Sequence, residues 1–355
     1  MPAAAPPSPA AQRAVSRAVR APSGGGAVRR SALLAAAAAA VALAALLSLA
    51  LGSRSLAPGE VWQALIGQGE GAAAKVVREL RVPRTVIGLM VGAALGMAGA
   101  VMQGLTRNPI AEPGLLGVSQ GASVGVVLAI AFAGAHSLDD YVWYALAGAA
   151  LAGVGVYAVA SRGRGGASPV KLALSGAAVN ALLASVTAGV LTTRATTLEQ
   201  FRFWQIGSLS GRDASIAADI WPFLLTGTVL VIAAARGLDA LALGDDVARG
   251  LGQNVALVRV TGGLGAVVLA GAAVAAAGPI AFVGLAVPHL ARGLVGGGHR
   301  WLLPMSALLG AVMLLVADVV ARLVFPPSEV PSGVMTALIG VPFLVVLVRR
   351  SGVRS

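Results

Sequence analysis

One motif in the sequence has the residues needed for acyl transfer. Residues 117–121, GVSQG, match the G-x-S-x-G nucleophile elbow, in which a strained turn between a strand and a helix exposes the serine. No strand pattern precedes Ser119, and no histidine–acid pair accompanies it in the sequence, so the context of a serine hydrolase is missing. The two glycines favour close packing of helices instead, and the four-residue spacing of Gly92 and Gly96 predicts the same for another apolar run.

An acid and an arginine within one apolar run are the second candidate for chemistry. Asp318 lies inside the run, and Arg322 follows one helical turn later, a spacing at which the two side chains can pair. Ionisable groups at membrane depth are costly and are therefore candidates for function. One hypothesis is a proton or ion relay, and the other is a structural pair that carries Arg322 to a membrane face. The turn residues at 325–327, FPP, end the run at this point and favour the structural pair.

The sequence shows neither a Walker A loop for nucleotide binding nor the ligand spacing of a metal site. The only two lysines, Lys75 and Lys171, lie in the contexts AKV and VKL, so a Walker A loop is absent. The three histidines show no metal-ligand spacing, and the sequence has no cysteine. We expect no catalytic residue, no metal site and no cofactor on this chain, so that any ATP and Mg would be bound by a partner ATPase.

A polar segment at residues 236–259 separates two long apolar runs. It contains three acids and three arginines in a chain that is otherwise dominated by Ala, Val, Leu and Gly. Val247, Leu251 and Val255 recur every four residues, which predicts a short amphipathic helix with Asp245 as its N-cap. At a membrane face, such a helix is either a solvated connector or a docking surface for a soluble protein.

Composition assigns the chain to the integral membrane proteins. Of its 355 residues, 57% are hydrophobic and only 11% are charged, whereas soluble domains carry roughly 25% charged residues. The mean hydropathy is +0.85. The net charge of +12 is spread over many short segments and forms no single patch, so we expect a lipid bilayer and no nucleic acid as its surroundings.

Apolar runs of about 20 residues, the length that spans a bilayer, predict an all-α fold with about ten transmembrane helices and short cytoplasmic helices. We expect a single domain over residues 31–350 after a disordered, basic cytoplasmic tail at residues 1–30. The runs lie at 32–51, 84–105, 114–134, 141–160, 171–191, 217–235, 260–277, 280–295, 302–323 and 332–348. Most lysines and arginines fall on the side of the termini, so the positive-inside rule places both termini and residues 236–259 in the cytoplasm. The location expected is the cytoplasmic membrane of a bacterium.

Several sequence blocks together resemble the FecCD/BtuC-like family of type II ABC importer permeases, which take up iron-siderophores, haem and cobalamin. The blocks are RVPR at 81–84, RNPIAEPGLLG at 107–117, FWQIGSLSG at 203–211, ALG at 242–244, GPIAFVGL at 278–285 and TALIG at 336–340. The resemblance covers about residues 30 to 350, and the blocks are specific in combination.

The resemblance implies a coupling role for the polar segment, because the corresponding part of the family docks in a groove of the ATPase. The residues implied are Leu243, Gly244, Asp245, Asp246, Val247, Arg249, Leu251 and Gly252. The apolar members would contact the soluble partner, while Asp245, Asp246 and Arg249 would fix its register.

The resemblance also implies contacts on the opposite face and a substrate path. Arg81, Arg84 and Arg322 match arginines that bind glutamates of an extracytoplasmic substrate-binding protein, a pairing that suits guanidinium geometry; the alternative is that Arg81 and Arg84 anchor a helix end at the headgroups. The path would run between this chain and a second permease copy, identical or related. The residues implied along it are Ser175, Asn180, Ser185, Thr187, Phe203, Trp204, Gly207 and Ser208.

The expected function is that of a permease subunit importing ferric siderophores with ATP hydrolysed by a separate subunit. The block at 203–211 is more similar to siderophore permeases than to cobalamin permeases. Import of cobalamin or haem by the same family is the first alternative. A proton-coupled secondary transporter that uses Asp318 as proton carrier is the second.

Overall fold

A computed structural model describes residues 25–52, 56–69, 71–135, 137–162, 168–326 and 328–352. This part of the chain contains helices and no strands, so the all-α prediction is confirmed. Of the predicted tail, residues 1–24 lie outside the described residues. Among the described residues the first helix begins at Gly25, and the division of the chain at residue 30 stays a prediction.

Every predicted apolar run falls on a helix of the described chain. Seven helices are long and apolar enough to cross a membrane, and three shorter apolar helices, Val118–Ala133, Val283–Val295 and Ser332–Pro342, complete the set. The helices are α1 (Gly25–Ala50), α2 (Pro58–Leu65), α3 (Ala72–Lys75), α4 (Val82–Thr106), α5 (Val118–Leu128), α6 (Leu138–Ser161), α7 (Pro169–Thr193), α8 (Ala195–Gln205), α9 (Ala214–Leu241), α10 (Asp245–Gly250), α11 (Val255–Ala277), α12 (Val283–Val295), α13 (His299–Leu323) and α14 (Ser332–Gly352). A π-helical turn, Val76–Arg81, joins α3 to α4.

Helix α4 is the central element of the bundle. It packs against α9, α11, α12 and α13, and almost three quarters of its most apolar stretch is buried. Glycines make this close packing possible: a Cβ on Gly96 would lie 2.1 Å from the carbonyl oxygen of Ser306, and one on Gly92 would lie 2.4 Å from that of Gly310. The predicted packing role of Gly92 and Gly96 is therefore confirmed against α13.

Helix α7 is the opposite case, because most of its surface is uncovered. Only Leu172, Gly176 and Thr187 are buried, although the helix is apolar along its length. Large side chains such as Leu174 and Leu182 are exposed. A membrane helix of this kind has its free surface against lipid or against another protein chain.

Candidate functional sites at the two ends of helix α4

The start of α4 is held in a network of polar and charged residues, buried except for Glu329, which we call the Asp318 cluster: Ser48, Arg84, Asp318, Arg322, Glu329 and Ser332. Arg84 donates from Nε to Asp318 Oδ2 and from Nη2 to Asp318 Oδ1, each at 2.9 Å. Arg322 Nη2 lies 3.1 Å from Asp318 Oδ2. Asp318 is 0% exposed, and bidentate pairing of this kind compensates a buried carboxylate well.

Two further groups complete the balance of the Asp318 cluster. Glu329 accepts from Arg84 Nη1 at 2.7 Å, and Ser332 donates its hydroxyl to Asp318 at 2.6 Å. Two arginines and two carboxylates therefore cancel in formal charge. A buried charge that is fully paired and hydrogen-bonded avoids most of the penalty of leaving water.

Arg322 also caps the end of helix α1, together with Arg81. Arg322 Nη1 donates to the carbonyl oxygens of Ser48 and Leu51, both at 3.0 Å. Arg81 Nη1 donates to those of Leu49 at 2.7 Å and Ala50 at 2.8 Å. The last carbonyls of a helix have no partner within it and attract positive charge. The three arginines thus join α1, α4 and α13 at one end of the bundle.

The predicted Asp318–Arg322 pair is confirmed. The three arginines expected to bind the substrate-binding protein, Arg81, Arg84 and Arg322, are buried and engaged within the subunit, and their docking role stays a prediction. They lie inside because Asp318 and the end of α1 both require positive charge.

The polar segment at 236–259 lies at the other end of α4 and is divided among three helices. Helix α9 continues to Leu241, the short α10 covers Asp245–Gly250, and α11 begins at Val255. The N-cap of α10 is Gly244, with φ of 110°, so the prediction of Asp245 as N-cap is wrong. Only glycine adopts that backbone conformation without strain, and Asp245 becomes the first residue of the helix.

The apolar edge of the segment also differs from the prediction in one residue. Leu243, Val247 and Leu251 are exposed, as a contact edge requires, but Val255 is buried at the start of α11. The four-residue spacing is interrupted by Gly252, whose φ is 79°. The exposed ledge therefore consists of Leu243, Val247 and Leu251.

Asp245 is engaged within the subunit, in what we call the Asp245 cluster: Arg107, Asp245 and Arg259. Arg259 Nη2 donates to Asp245 Oδ2 at 2.7 Å, and Arg107 Nη2 donates to Asp245 Oδ1. Burial alone would raise the pKa of Asp245, but the charge of Arg259 and the hydrogen bonds from both arginines outweigh it, so the pKa lies below its ordinary value. The neighbouring Asp246 pairs with Arg249 at 2.8 Å on the surface.

Sequence reasoning missed Arg107 and Arg259 as partners of Asp245, and it missed Ser48 and Glu329 as members of the Asp318 cluster. Arg107 is 138 positions away from Asp245, and Glu329 is 245 positions away from Arg84. The one signal available was positional, since Arg107 and Arg259 each adjoin the end of an apolar run.

The expected path residues of α7 are brought to one helix but not to one surface. Ser185 is exposed and donates to its own helix at Ala181, whereas Thr187 is buried. Asn180 donates to the carbonyl oxygen of Gly114 at 3.0 Å. Ser175 is half-buried. The hydroxyl of Ser185 and the amide N–H of Asn180 therefore bond within the protein, whereas Thr187 Oγ1 is buried without a hydrogen-bond partner among the described residues.

The block at 203–211 begins in helix α8 and continues as a turn. Helix α8 ends at Gln205, so only Phe203, Trp204 and Gln205 of the block are helical. Trp204 is buried against Phe201, with ring centroids 5.7 Å apart, while Phe203 is exposed.

The turn that follows α8 fits closely against the end of α11. Gly207 has φ of 73°, and a Cβ there would lie 2.2 Å from the carbonyl oxygen of Pro279. The backbone N–H of Ser208 donates to the carbonyl oxygen of Ala277 at 2.7 Å. Gly207 and Ser208 therefore connect two elements through their backbone.

Ser119 and the neighbouring acid Glu112 line one small cavity of about 90 Å³. A 3₁₀ turn, Pro113–Leu116, precedes α5 where a hydrolase would have a strand. Burial raises the pKa of Glu112. Within the described residues no group of three or more His, Cys, Asp or Glu is arranged to hold a metal. His136 lies outside the described residues.

Comparison with known proteins gives consistent matches over most of the chain. A model of the FecCD transport family matches residues 40–350. The ferric enterobactin transport system permease protein FepD of Escherichia coli (strain K12) is 43% identical over 309 residues, which is 87% of this chain and 92% of FepD. The iron(3+)-hydroxamate import system permease protein FhuB of Bacillus subtilis (strain 168) is 42% identical over 309 residues, 87% of this chain and 80% of FhuB.

A solved structure extends the similarity to three dimensions. An inward-facing metal-chelate type ABC transporter aligns with a TM-score of 0.77 and 31% sequence identity, over 90% of this chain and 99% of the other.

Proposed function

Because the chain belongs to the FecCD transport family, as a permease subunit of an ABC importer, we propose that it carries ferric siderophores through the membrane. Its ATPase is a separate subunit, and the chain itself is a transport component and not an enzyme. A substrate-binding protein is the other partner of such an importer. The chain is a protein of the inner membrane.

The cargo proposal is supported by the chemistry that the relatives' names share. FepD is named for ferric enterobactin, and FhuB is named for iron(3+)-hydroxamate. Both carry iron(III) wrapped in an organic chelator, although the chelators differ. Haem and cobalamin remain the alternative cargoes for a permease of this family.

The burial and contacts of Asp318 make it unsuited to be the carrier of a proton-coupled transporter. A proton carrier must exchange its proton with water, whereas Asp318 is 0% exposed and bonded to Arg84, Arg322 and Ser332. These contacts suit a structural role in which Asp318 joins Arg84, Arg322 and Ser332.

We propose that the exposed ledge of Leu243, Val247 and Leu251 contacts the ATPase, with Asp246 and Arg249 at its border. Exposed apolar side chains rimmed by charges are typical of a docking surface. Gly244 and Gly252, both with positive φ, flank helix α10, which carries Val247. The ledge and both termini would then lie in the cytoplasm.

We propose that the binding protein docks at the opposite end, over the Asp318 cluster. Since Arg84 already pairs with Glu329, a carboxylate of the binding protein would have to replace Glu329 to reach it. Glu329→Gln then removes the competitor and should raise the affinity for the binding protein, measured with purified components. Arg84→Glu should abolish association, and an unchanged affinity in both variants would refute this docking mode.

The exposed apolar face of α7 is proposed as the surface that meets a second permease copy and lines the cargo path. Its polar groups are few, so the path would bind cargo weakly and leave recognition to the binding protein. The copy is either a second molecule of this chain or a related subunit, and the mass of the detergent-solubilised complex distinguishes the two.

Uptake by the source organism tests the cargo proposal. Deletion of the gene should abolish ⁵⁵Fe uptake from at least one ferric chelate among hydroxamate, catecholate and citrate forms, while labelled cobalamin uptake persists. Loss of cobalamin or haem uptake alone would overturn the proposal. In membrane vesicles supplied with ATP, uptake should survive an uncoupler and stop with vanadate; the reverse pattern would favour proton coupling.

A further inference from the structure

Helix α10 is weakly held by apolar packing. Of its six residues only Ala248 is buried, so the ledge has almost no hydrophobic anchor of its own. Gly244 and Gly252 flank it with φ of 110° and 79°, and nothing lies within 4 Å of where their Cβ atoms would be. Open space and glycine on both sides leave the helix free to tilt unless another contact restrains it.

The restraint present in the structure is Asp245. One of its carboxylate oxygens accepts from Arg259 in the second turn of α11, and the other accepts from Arg107 immediately after α4. The Arg259 side chain is only 7% exposed, against 27% for Asp245, so the pair is shielded on one side from water. A single carboxylate thereby ties α10 to the N-terminal part of α11 and to the end of α4.

Arg107 reaches Asp245 from a strained backbone. Its φ of 49° is left-handed, a conformation that arginine adopts rarely and glycine or asparagine adopts readily. Strain of this kind persists where the surroundings require it. Here it directs the guanidinium of a residue at the end of the most central helix toward α10.

We propose that Asp245 is a positioning residue that fastens the ledge to α4 and α11, so that movement of the ATPase is transmitted to the bundle. This proposal rests on the ABC importer function, and it replaces the expectation that Asp245 itself binds the ATPase. Asp246, whose side chain is 98% exposed one position later, is the acid available to the partner. The two neighbouring acids therefore have different tasks.

The difference can be measured in the complete importer in proteoliposomes, with its ATPase and binding protein. Asp245→Asn should leave ATPase binding within about twofold of wild type and lower uptake per ATP hydrolysed by about tenfold or more. Asp246→Asn should weaken ATPase binding and leave uptake per ATP unchanged. Asp245→Glu should restore coupling, since it keeps the charge, and Asp213→Asn, an exposed acid on another segment, should behave as wild type.

Two results would overturn the proposal: loss of ATPase binding in Asp245→Asn, which would make Asp245 a direct contact, or an unchanged ratio of uptake to hydrolysis.

A second measurement does not depend on transport. The chain has no native cysteine. Two cysteines can therefore be introduced in one chain, at Val247 on the ledge and at Ile110 after α4, both exposed, and each can carry one spin label.

In the full-length chain in nanodiscs, the distance distribution between these labels should be narrow with Asp245 and clearly broader with Asn. Equal widths would refute the clamp. If the wild-type importer shows no ATP-dependent uptake while the broadening is observed, the importer assignment fails and the clamp stands.

Discussion

A charged cluster lies at each end of helix α4, and the two clusters differ in burial and in charge balance. The Asp318 cluster has a buried, hydrogen-bonded acid at its centre, only its outer member Glu329 is exposed, and two positive charges cancel two negative ones. The Asp245 cluster has two arginines for one acid and is partly open to water. About 35 Å of helix separates Arg84 from Arg107, at 1.5 Å per residue.

The difference separates a fixed joint from a joint that can transmit force. Charges buried without water must be fully paired, because each unpaired one costs several kcal/mol, so the Asp318 cluster fixes α1, α4 and α13 in one arrangement. The Asp245 cluster is partly solvated, and water compensates when its geometry changes. Equal substitutions in the two clusters should therefore have unequal consequences.

The largest effect is expected at the centre of the buried cluster. Asp318→Asn leaves Arg84 and Arg322 without their shared carboxylate and should lower the free energy of unfolding by about 3–5 kcal/mol. Thermal unfolding in detergent measures the loss. Asp213→Asn, which removes an exposed acid, is the control and should change little. A loss below about 1 kcal/mol in Asp318→Asn would show that the cluster is not a fixed joint.

The packing of helix α4 between the two clusters can be disturbed without changing a charged residue. Gly96→Ala places a methyl 2.1 Å from the carbonyl oxygen of Ser306, so α4 and α13 must separate, at a cost of about 1–3 kcal/mol. Gly155→Ala adds the same methyl where nothing lies within 4 Å and should not destabilise. Equal melting temperatures for the two variants would mean that α4 and α13 are not tightly packed.

Asp245→Asn tests the partly solvated cluster by the same chemical change. We expect a loss of stability of only about 1 kcal/mol, because exposed pairs contribute little. The pKa of Asp245 is lowered from 3.8. Its contribution to stability is therefore present above pH 3.8 and is lost as pH falls through the pKa of the folded state. The difference from wild type should therefore be constant between about pH 6 and pH 8. A loss as large as that of Asp318→Asn would remove the contrast.

Glu112 belongs to neither cluster, and its effect is expected to be the smallest. Burial raises its pKa from 4.5, so the folded state holds the proton more tightly than the unfolded state. Stability is then lost as pH rises from the unfolded pKa to the folded one. Glu112→Gln should remove this loss and raise stability above that range by less than about 1 kcal/mol. Thermal unfolding at several pH values measures it; a destabilised variant would imply a partner for Glu112.

Sequence reasoning was accurate for features that depend on local composition. The apolar runs marked every spanning helix because hydrophobic length is a property of the segment alone. The Gly92 and Gly96 spacing indicated close packing, and the four-residue period identified Val247 and Leu251 of the ledge, whereas Leu243 was implied only by the family resemblance. It was wrong about Asp245 as N-cap and about Val255, because Gly244 and Gly252 interrupt the helix through backbone conformation.

The residues of the chain by themselves determined that it spans a membrane, that it has no Walker A loop and that a polar ledge interrupts its apolar runs. The folded bundle alone decided which charges distant in the sequence meet. Arg84 contacts Asp318 and Arg107 contacts Asp245, across separations of 234 and 138 positions. Pairing of buried charges depends on which helix ends are brought together, and that follows from the packing of whole helices around α4.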